Sequence, residues 1–174
     1  MALLKVPITP DDHIQGDEDA PLKLVEYGDY ECPHCGRAHP IVKRVRKHFG
    51  QRLMFVFRNF PLKEMHPNAE TAAESAEFAA ALGRFWEMHD AIYENQAALG
   101  LPLLLELAET LRLSVPDLSN ALKGGQYASR VRADFLGGVR SGVNGTPTFF
   151  INGRRHDGPF EFEDLVAAIA AGDK

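Results

Sequence analysis

Polar and apolar positions along the chain fall into runs of different period. Residues 1–20 are polar and turn-rich, with Gly16 inside an acidic stretch, and read as a lead-in arm. Residues 22–30 alternate, with Leu22, Leu24, Val25 and Tyr27 apolar, which predicts a strand. The turn Cys32-Pro33-His34-Cys35 follows, then a helix to about residue 49, because Ala38, Ile41, Val42, Val45 and Phe49 share one helical stripe. Pro33 suits a first helical turn, Pro40 predicts a kink, and Gly50 closes the helix. Residues 53–57 are continuously apolar, the pattern of a central parallel strand buried on both faces. Strand, helix and strand together predict a right-handed crossover.

A long helical region follows, from about residue 67 to 141. Ala69, Ala72, Ala73, Ala76 and Ala80 mark its first helix. Phe85, His89, Ile92 and Gln96 mark one face of a second, and Leu103, Leu104, Leu107 and Leu111 a third. A short helix over 116–123 and a last one over 127–141 complete it, and Gly137-Gly138 should loosen the end of the last. Strand character returns at residues 148–151. Asn152-Gly153 then signals a tight hairpin into residues 154–157, and a helix over 161–171 closes the chain. Phe85, Trp86, Met88 and His89 read as packing residues, with Trp86 as a second-choice groove residue. The fold class is α/β, a sheet interrupted by a helical insertion at about 66–142 within a single domain spanning 1–174.

Length and composition narrow the function classes. The chain has 174 residues, enough for one domain with a core of its own, and 45% hydrophobic residues exclude a disordered chain. A formal net charge of −5 argues against a nucleic-acid binder, and the basic run Lys43, Arg44, Arg46, Lys47 and His48 reads as a solvated helix end. No stretch has the roughly 20 apolar residues of a membrane span. The first residues lack the basic start and apolar run of a secretory leader, so the chain as written reads as cytoplasmic. Removal of a leader upstream would make it periplasmic or otherwise extracytoplasmic.

The two cysteines, Cys32 and Cys35, are too few for a disulfide scaffold or a four-thiolate zinc site. Their position between a strand and a helix start points to redox chemistry. Unpaired N–H groups and the positive end of the helix dipole favour a thiolate at Cys32, and Cys35, one turn on, is placed to close a disulfide with it. His34, between them, is expected to add positive charge beside the thiolate, which stabilises the reduced pair and makes it more oxidising. Glu26, on an otherwise apolar strand, is a candidate buried carboxyl beneath the dithiol, able to relay a proton from Cys35. Thr146-Pro147, entering a strand, is a candidate cis bond whose exposed Thr146 backbone would pair with an extended substrate. His39 is the one further residue that invites a metal reading, and with no fourth ligand apparent no metal is expected.

Three blocks, 27–35 (Tyr-Gly-Asp-Tyr-Glu-Cys-Pro-His-Cys), 83–90 (Gly-Arg-Phe-Trp-Glu-Met-His-Asp) and 143–153 (Val-Asn-Gly-Thr-Pro-Thr-Phe-Phe-Ile-Asn-Gly), resemble the DsbA-like branch of the thioredoxin superfamily in order and separation. The resemblance covers the chain from about residue 12 onward. It implies a thioredoxin fold with an inserted helical domain, Cys32 as the attacking and Cys35 as the resolving cysteine, and a cis Pro147 facing the dithiol. It also implies that Glu26 is the family's buried acid and that Pro40 sits where the active-site helix often kinks. Pro33-His34 is the dipeptide of the family's strongly oxidising periplasmic member, whereas Thr146 replaces the Val usual there and suits isomerase-type members. Some members of the branch are fused to membrane transporters.

The leading expectation is a thiol-disulfide oxidoreductase acting on protein or peptide thiols and disulfides, leaning toward oxidation and recycled by a redox partner. It would work without a cofactor, as a monomer, with no nucleic-acid partner and no membrane insertion. The alternative is a non-catalytic thioredoxin-fold peptide binder or chaperone whose dithiol is structural.

Overall fold

A computed structural model describes residues 2–173, and Met1 and Lys174 lie outside them. Five strands form one sheet in the order β1-β3-β2-β4-β5. These are β1 (His13–Gln15), β2 (Leu22–Gly28), β3 (Leu53–Asn59), β4 (Thr148–Ile151) and β5 (Arg154–His156). β2 and β3 run parallel, joined by α1 (Pro33–Phe49), and the remaining pairs are antiparallel. β2 is thus the central strand, with β3 beside it and buried along its whole length. Between β3 and β4 come α2 (Ala69–Ala81), α3 (Phe85–Glu94), α4 (Leu101–Thr110), α5 (Val115–Gly124) and α6 (Ala128–Arg140), and α7 (Phe162–Ala171) ends the fold. Among the described residues no helix is long and apolar enough to cross a membrane.

Strand alternation divides the core in two. Leu22, Leu24, Phe55, Phe57, Phe149 and Ile151 face the larger cluster, shared with α1, α7 and the helices after β3. Val25, Tyr27, Met54, Val56 and Phe150 face the smaller one, covered by Phe60, Val143 and the partly buried Leu4, Ile8 and Phe135. The β4–β5 turn has φ of 47° at Asn152 and 82° at Gly153, both left-handed, which is the hairpin geometry that asparagine and glycine permit.

Three readings of the sequence need correction. The lead-in arm carries β1, which pairs with β3 and is held by a Trp86 Nε1–H donated to the Ile14 carbonyl at 3.2 Å. Asp12 in the same arm accepts two bonds from the buried Arg58, at 2.8 and 2.9 Å. α3 stops at Glu94, so Gln96 falls in a separate short turn. Gly137 and Gly138 do not loosen α6; both are buried, and their missing side chains let it settle on the sheet. A Cβ at 138 would lie 2.7 Å from Phe60 Cδ2 and 3.0 Å from Tyr27 Cδ1, closer than packed carbons tolerate. α1 continues through Pro40, whose ring is exposed.

Candidate functional site

β2 ends at Gly28, and the next four residues turn the chain into α1. Cys32 is the N-cap of that helix, with extended backbone (φ −68°, ψ 121°), and Pro33 takes the first turn, where a missing N–H costs nothing. This places the Cys32 sulfur against the free N–H groups of the helix start. Both cysteines are unbridged and buried, Cys32 at 3% exposure and Cys35 at 0%. Across from them the Thr146–Pro147 peptide is cis, and the Cys32 thiol donates to the Thr146 carbonyl at 3.5 Å. The structure therefore brings Cys32, Cys35, Thr146 and Pro147 together.

The two sulfurs differ sharply. The Cys35 thiol, donating toward Cys32, is the main cause that lowers the Cys32 pKa to about 5, against the opposing effect of burial. The Thr146 side chain and the backbone N–H groups of Cys35 and His34 add to it. Burial pushes Cys35 well above the usual thiol range, and the nearby Cys32 and Glu26 charges push the same way. The His34 ring, expected to supply positive charge, is exposed and is not among these causes; the peptide N–H of His34 is what the thiolate meets. Pro33 beside it is exposed as well.

Glu26 lies in β2 between Phe57 of β3 and Phe149 of β4 in register, 3% exposed, on the sheet face that packs against α1. Burial, and then the charge on Cys32, raise its pKa to about 8. Its Oε1 has no hydrogen-bond partner among the described residues.

Two residues with no site role expected from the sequence hold the turn. The Asp29 side chain is fully buried and accepts from the N–H of Glu31 (2.8 Å), Cys32 (3.2 Å) and Leu62 (2.8 Å) and from His66 Nδ1 (2.9 Å). The Asp29 N–H itself points at Cys35 Sγ, 3.5 Å away. Gln96 Nε2 donates to the carbonyls of Tyr30 and Cys32, at 2.9 and 2.8 Å. An aspartate accepting from the N–H groups two and three residues on is a legible turn signal for Asp29. No local pattern marks Gln96, because its partners lie more than sixty residues away in the chain.

Behind the turn is an aromatic and histidine cluster. The Tyr30 hydroxyl bonds His89 Nδ1 at 2.8 Å, and the His39 ring stacks on Tyr93 at 5.0 Å. His39, His89 and Asp90 bring one donor atom each within 4.8 Å of one another, whereas neither cysteine joins them.

Comparison with known proteins places this arrangement. A family model described as thioredoxin matches residues 8–171. A Na(+)/H(+) antiporter NhaA 1 of Salinispora arenicola is 44% identical over 169 residues, covering 97% of this chain and 26% of the antiporter. An antiporter of the same description from Mycobacterium sp. (strain KMS) is 43% identical over 169 residues, 95% of this chain and 28% of that protein. The chain thus spans about a quarter of the length of these curated relatives. Among solved structures, oxidised BdbD from Bacillus subtilis superposes with a TM-score of 0.87 at 23% identity, covering 99% of this chain and 98% of that one. α-DsbA1 from Wolbachia pipientis gives 0.84 at 20% identity, covering 98% and 94%. The family match runs through both the dithiol turn and the cis-proline loop, and this chain belongs to the thioredoxin family, built on the fold of its DsbA-like branch.

Proposed function

We propose that this chain is a thiol-disulfide oxidoreductase that exchanges disulfides with protein or peptide substrates through Cys32 and Cys35. The asymmetry of the two sulfurs carries the reading: a thiolate at Cys32 near neutral pH, and a thiol at Cys35 that keeps its proton until needed. The Cys32 thiolate attacks one sulfur of a substrate disulfide, forming a mixed disulfide and releasing the other sulfur as a thiolate. Cys35 then loses its proton, with Glu26 as acceptor, and attacks Cys32 Sγ. The substrate leaves as a dithiol, reduced by two electrons, and Cys32–Cys35 is oxidised. Run in reverse, the same steps donate the disulfide. The Thr146 backbone, next to Cys32, supports main-chain pairing with an extended substrate.

The reverse direction is the favoured one. Each group that lowers the Cys32 pKa stabilises the reduced pair and so raises its potential, by about 30 mV per 1.4 kcal/mol. The potential should be less negative than the roughly −270 mV of thioredoxin itself, as suits an oxidant working outside the cytoplasm. The test is oxidative refolding of a reduced, denatured protein by the preoxidised chain, with its potential read against a glutathione buffer. Cys35→Ser should accumulate mixed disulfides with the client and Cys32→Ser should form none. A wild-type chain that forms no mixed disulfide, with Cys32 inert to alkylation at mildly acid pH, would establish instead a binding module with a structural dithiol.

A further inference from the structure

Glu26 has a logistical problem. With a pKa of about 8 it is mostly protonated at neutral pH, and a protonated carboxyl accepts nothing from Cys35. When Cys32 enters a mixed disulfide its charge disappears, and with it the second cause, after burial, that holds the Glu26 proton. The hold on that proton is then weaker, with burial alone maintaining it, but Glu26 is 3% exposed. The proton must cross the interior before the resolving step begins.

The structure offers a way out. Among the buried polar atoms without protein partners are Glu26 Oε1 and His39 Nε2. Both side chains line one cavity of about 10 Å³, room for a single water. Asp90 and Lys43 line it as well, and their side chains are 32% and 43% exposed, so the cavity ends at residues that meet solvent. Asp90 Oδ1 is 3.6 Å from His39 Nε2. We propose that His39 carries protons between Glu26 and solvent, taking them through the cavity water and passing them to Asp90. This inference rests on the reading of Cys32 and Cys35 as an exchanging pair.

The transfer balances without electrons. Glu26 gives its proton to the water, which gives one of its own to His39 Nε2. The imidazolium releases it to the Asp90 carboxylate, and from there it reaches bulk water. Glu26, now a carboxylate, takes the Cys35 proton, and His39 and the water are restored. The surroundings of His39 suit a carrier. Burial lowers its pKa against the pull of Asp90 and Glu94 on α3, with Lys43 on α1 acting in the same sense as burial, so it rests as a neutral acceptor. His89 and Tyr93 of α3 pack on its ring, and Gln15 of β1, Val42 and Arg46 of α1 and Phe55 of β3 complete the cavity wall. Lys43 and Arg46 also set this cavity against a resident metal cation at His39, His89 and Asp90, whereas a proton only passes through.

The experiment isolates the resolving step. A mixed disulfide between Cys32 and a fluorescent peptide thiol is formed at low pH, and peptide release is followed by stopped flow after jumps to higher pH. His39→Gln keeps a polar side chain of similar reach but does not titrate; it should slow release by on the order of tenfold near pH 7. His39→Ala should be slowed too, and added imidazole should restore its rate in proportion to the free base while leaving the wild type unchanged. Iodoacetamide alkylation of Cys32 should keep its wild-type rate in both variants. Wild-type release rates in His39→Gln across the pH range, or a slowed His39→Ala that imidazole does not rescue, would overturn the relay while the exchange reading stands. Failure of the wild type to form or resolve the mixed disulfide would overturn both.

Discussion

Replacing Glu26 with glutamine removes a carboxyl whose ionisation the fold resists. In the unfolded chain this group loses its proton near pH 4.5; in the fold it holds it up to about 8. Between those values unfolding releases a proton. The group therefore costs the fold nothing below about pH 4.5, costs more as pH rises, and reaches its full penalty above about 8. At about 1.4 kcal/mol per pKa unit, the penalty is about 1 kcal/mol near pH 5, about 3 near pH 7 and about 5 near pH 9. Glutamine has no proton to lose, so Glu26→Gln escapes this penalty. Its buried amide adds a cost of about 1–3 kcal/mol that does not vary with pH. The signature is therefore the slope: the stability difference between variant and parent should shift in favour of the variant by about 4 kcal/mol between about pH 5 and pH 9. Urea unfolding of the reduced proteins at three pH values measures it. In protein with Cys32 alkylated the shift should be smaller, because the Cys32 charge is the second cause of the raised pKa. Parallel stability curves for variant and parent would show that Glu26 ionises freely in the fold, and the reasoning on its proton would fail.

Asp29→Ala strips four hydrogen-bond donors of a buried acceptor and should cost about 3–5 kcal/mol by urea midpoint. The His66 pKa is raised, because its bond to Asp29 and the charges of Asp29, Cys32 and Glu31 together outweigh burial. The stability His66 contributes is thus complete below about pH 6.5, fades as pH rises through the raised value, and should vanish in His66→Gln, as pH-dependent unfolding would reveal. Gly138→Ala should lower the melting temperature despite a helix-propensity gain of about 1 kcal/mol, since overpacking against Phe60 and Tyr27 costs about 1–3. Gly124→Ala, with open space around it, is the control. Ultraviolet thiolate absorbance should place the Cys32 transition at about 5, and Cys35→Ala, which leaves no side-chain donor, should move it upward by removing the main cause of the shift.

What could be read from the sequence was whatever a short window encodes. The alternation of residues 22–30, the apolar run at 53–57, the stripe from Ala38 to Phe49 and the turn at Asn152-Gly153 each declare their element locally, and the fold class followed from their order. β1 was not legible because His13, Ile14 and Gln15 have no strand pattern of their own; pairing with Phe55, Val56 and Phe57 makes them one. Gly137-Gly138 read as a weak helix end because propensity cannot see Phe60 and Tyr27, the rings that require the missing side chains. At the candidate site the cysteine spacing and the helix start were visible, since both are local. The bonds from Leu62 and His66 to Asp29, and from Gln96 to the turn, span more than thirty residues and exist only once the chain is folded. At His34 the backbone N–H lies against the sulfur, a contact set by the helix start whatever the residue type.

The strand order has a consequence for life among unfolded chains. β1 and β5, at the two margins of the sheet, are three residues each, while the seven-residue strands β2 and β3 are enclosed. A long bare margin would be a template on which another extended polypeptide could add itself and seed aggregation. This sheet offers only stubs there, and the outer side of β5 is further obstructed by Leu3, which bridges to Arg154. A chain whose proposed clients are extended, partly folded polypeptides therefore offers them little edge on which to add.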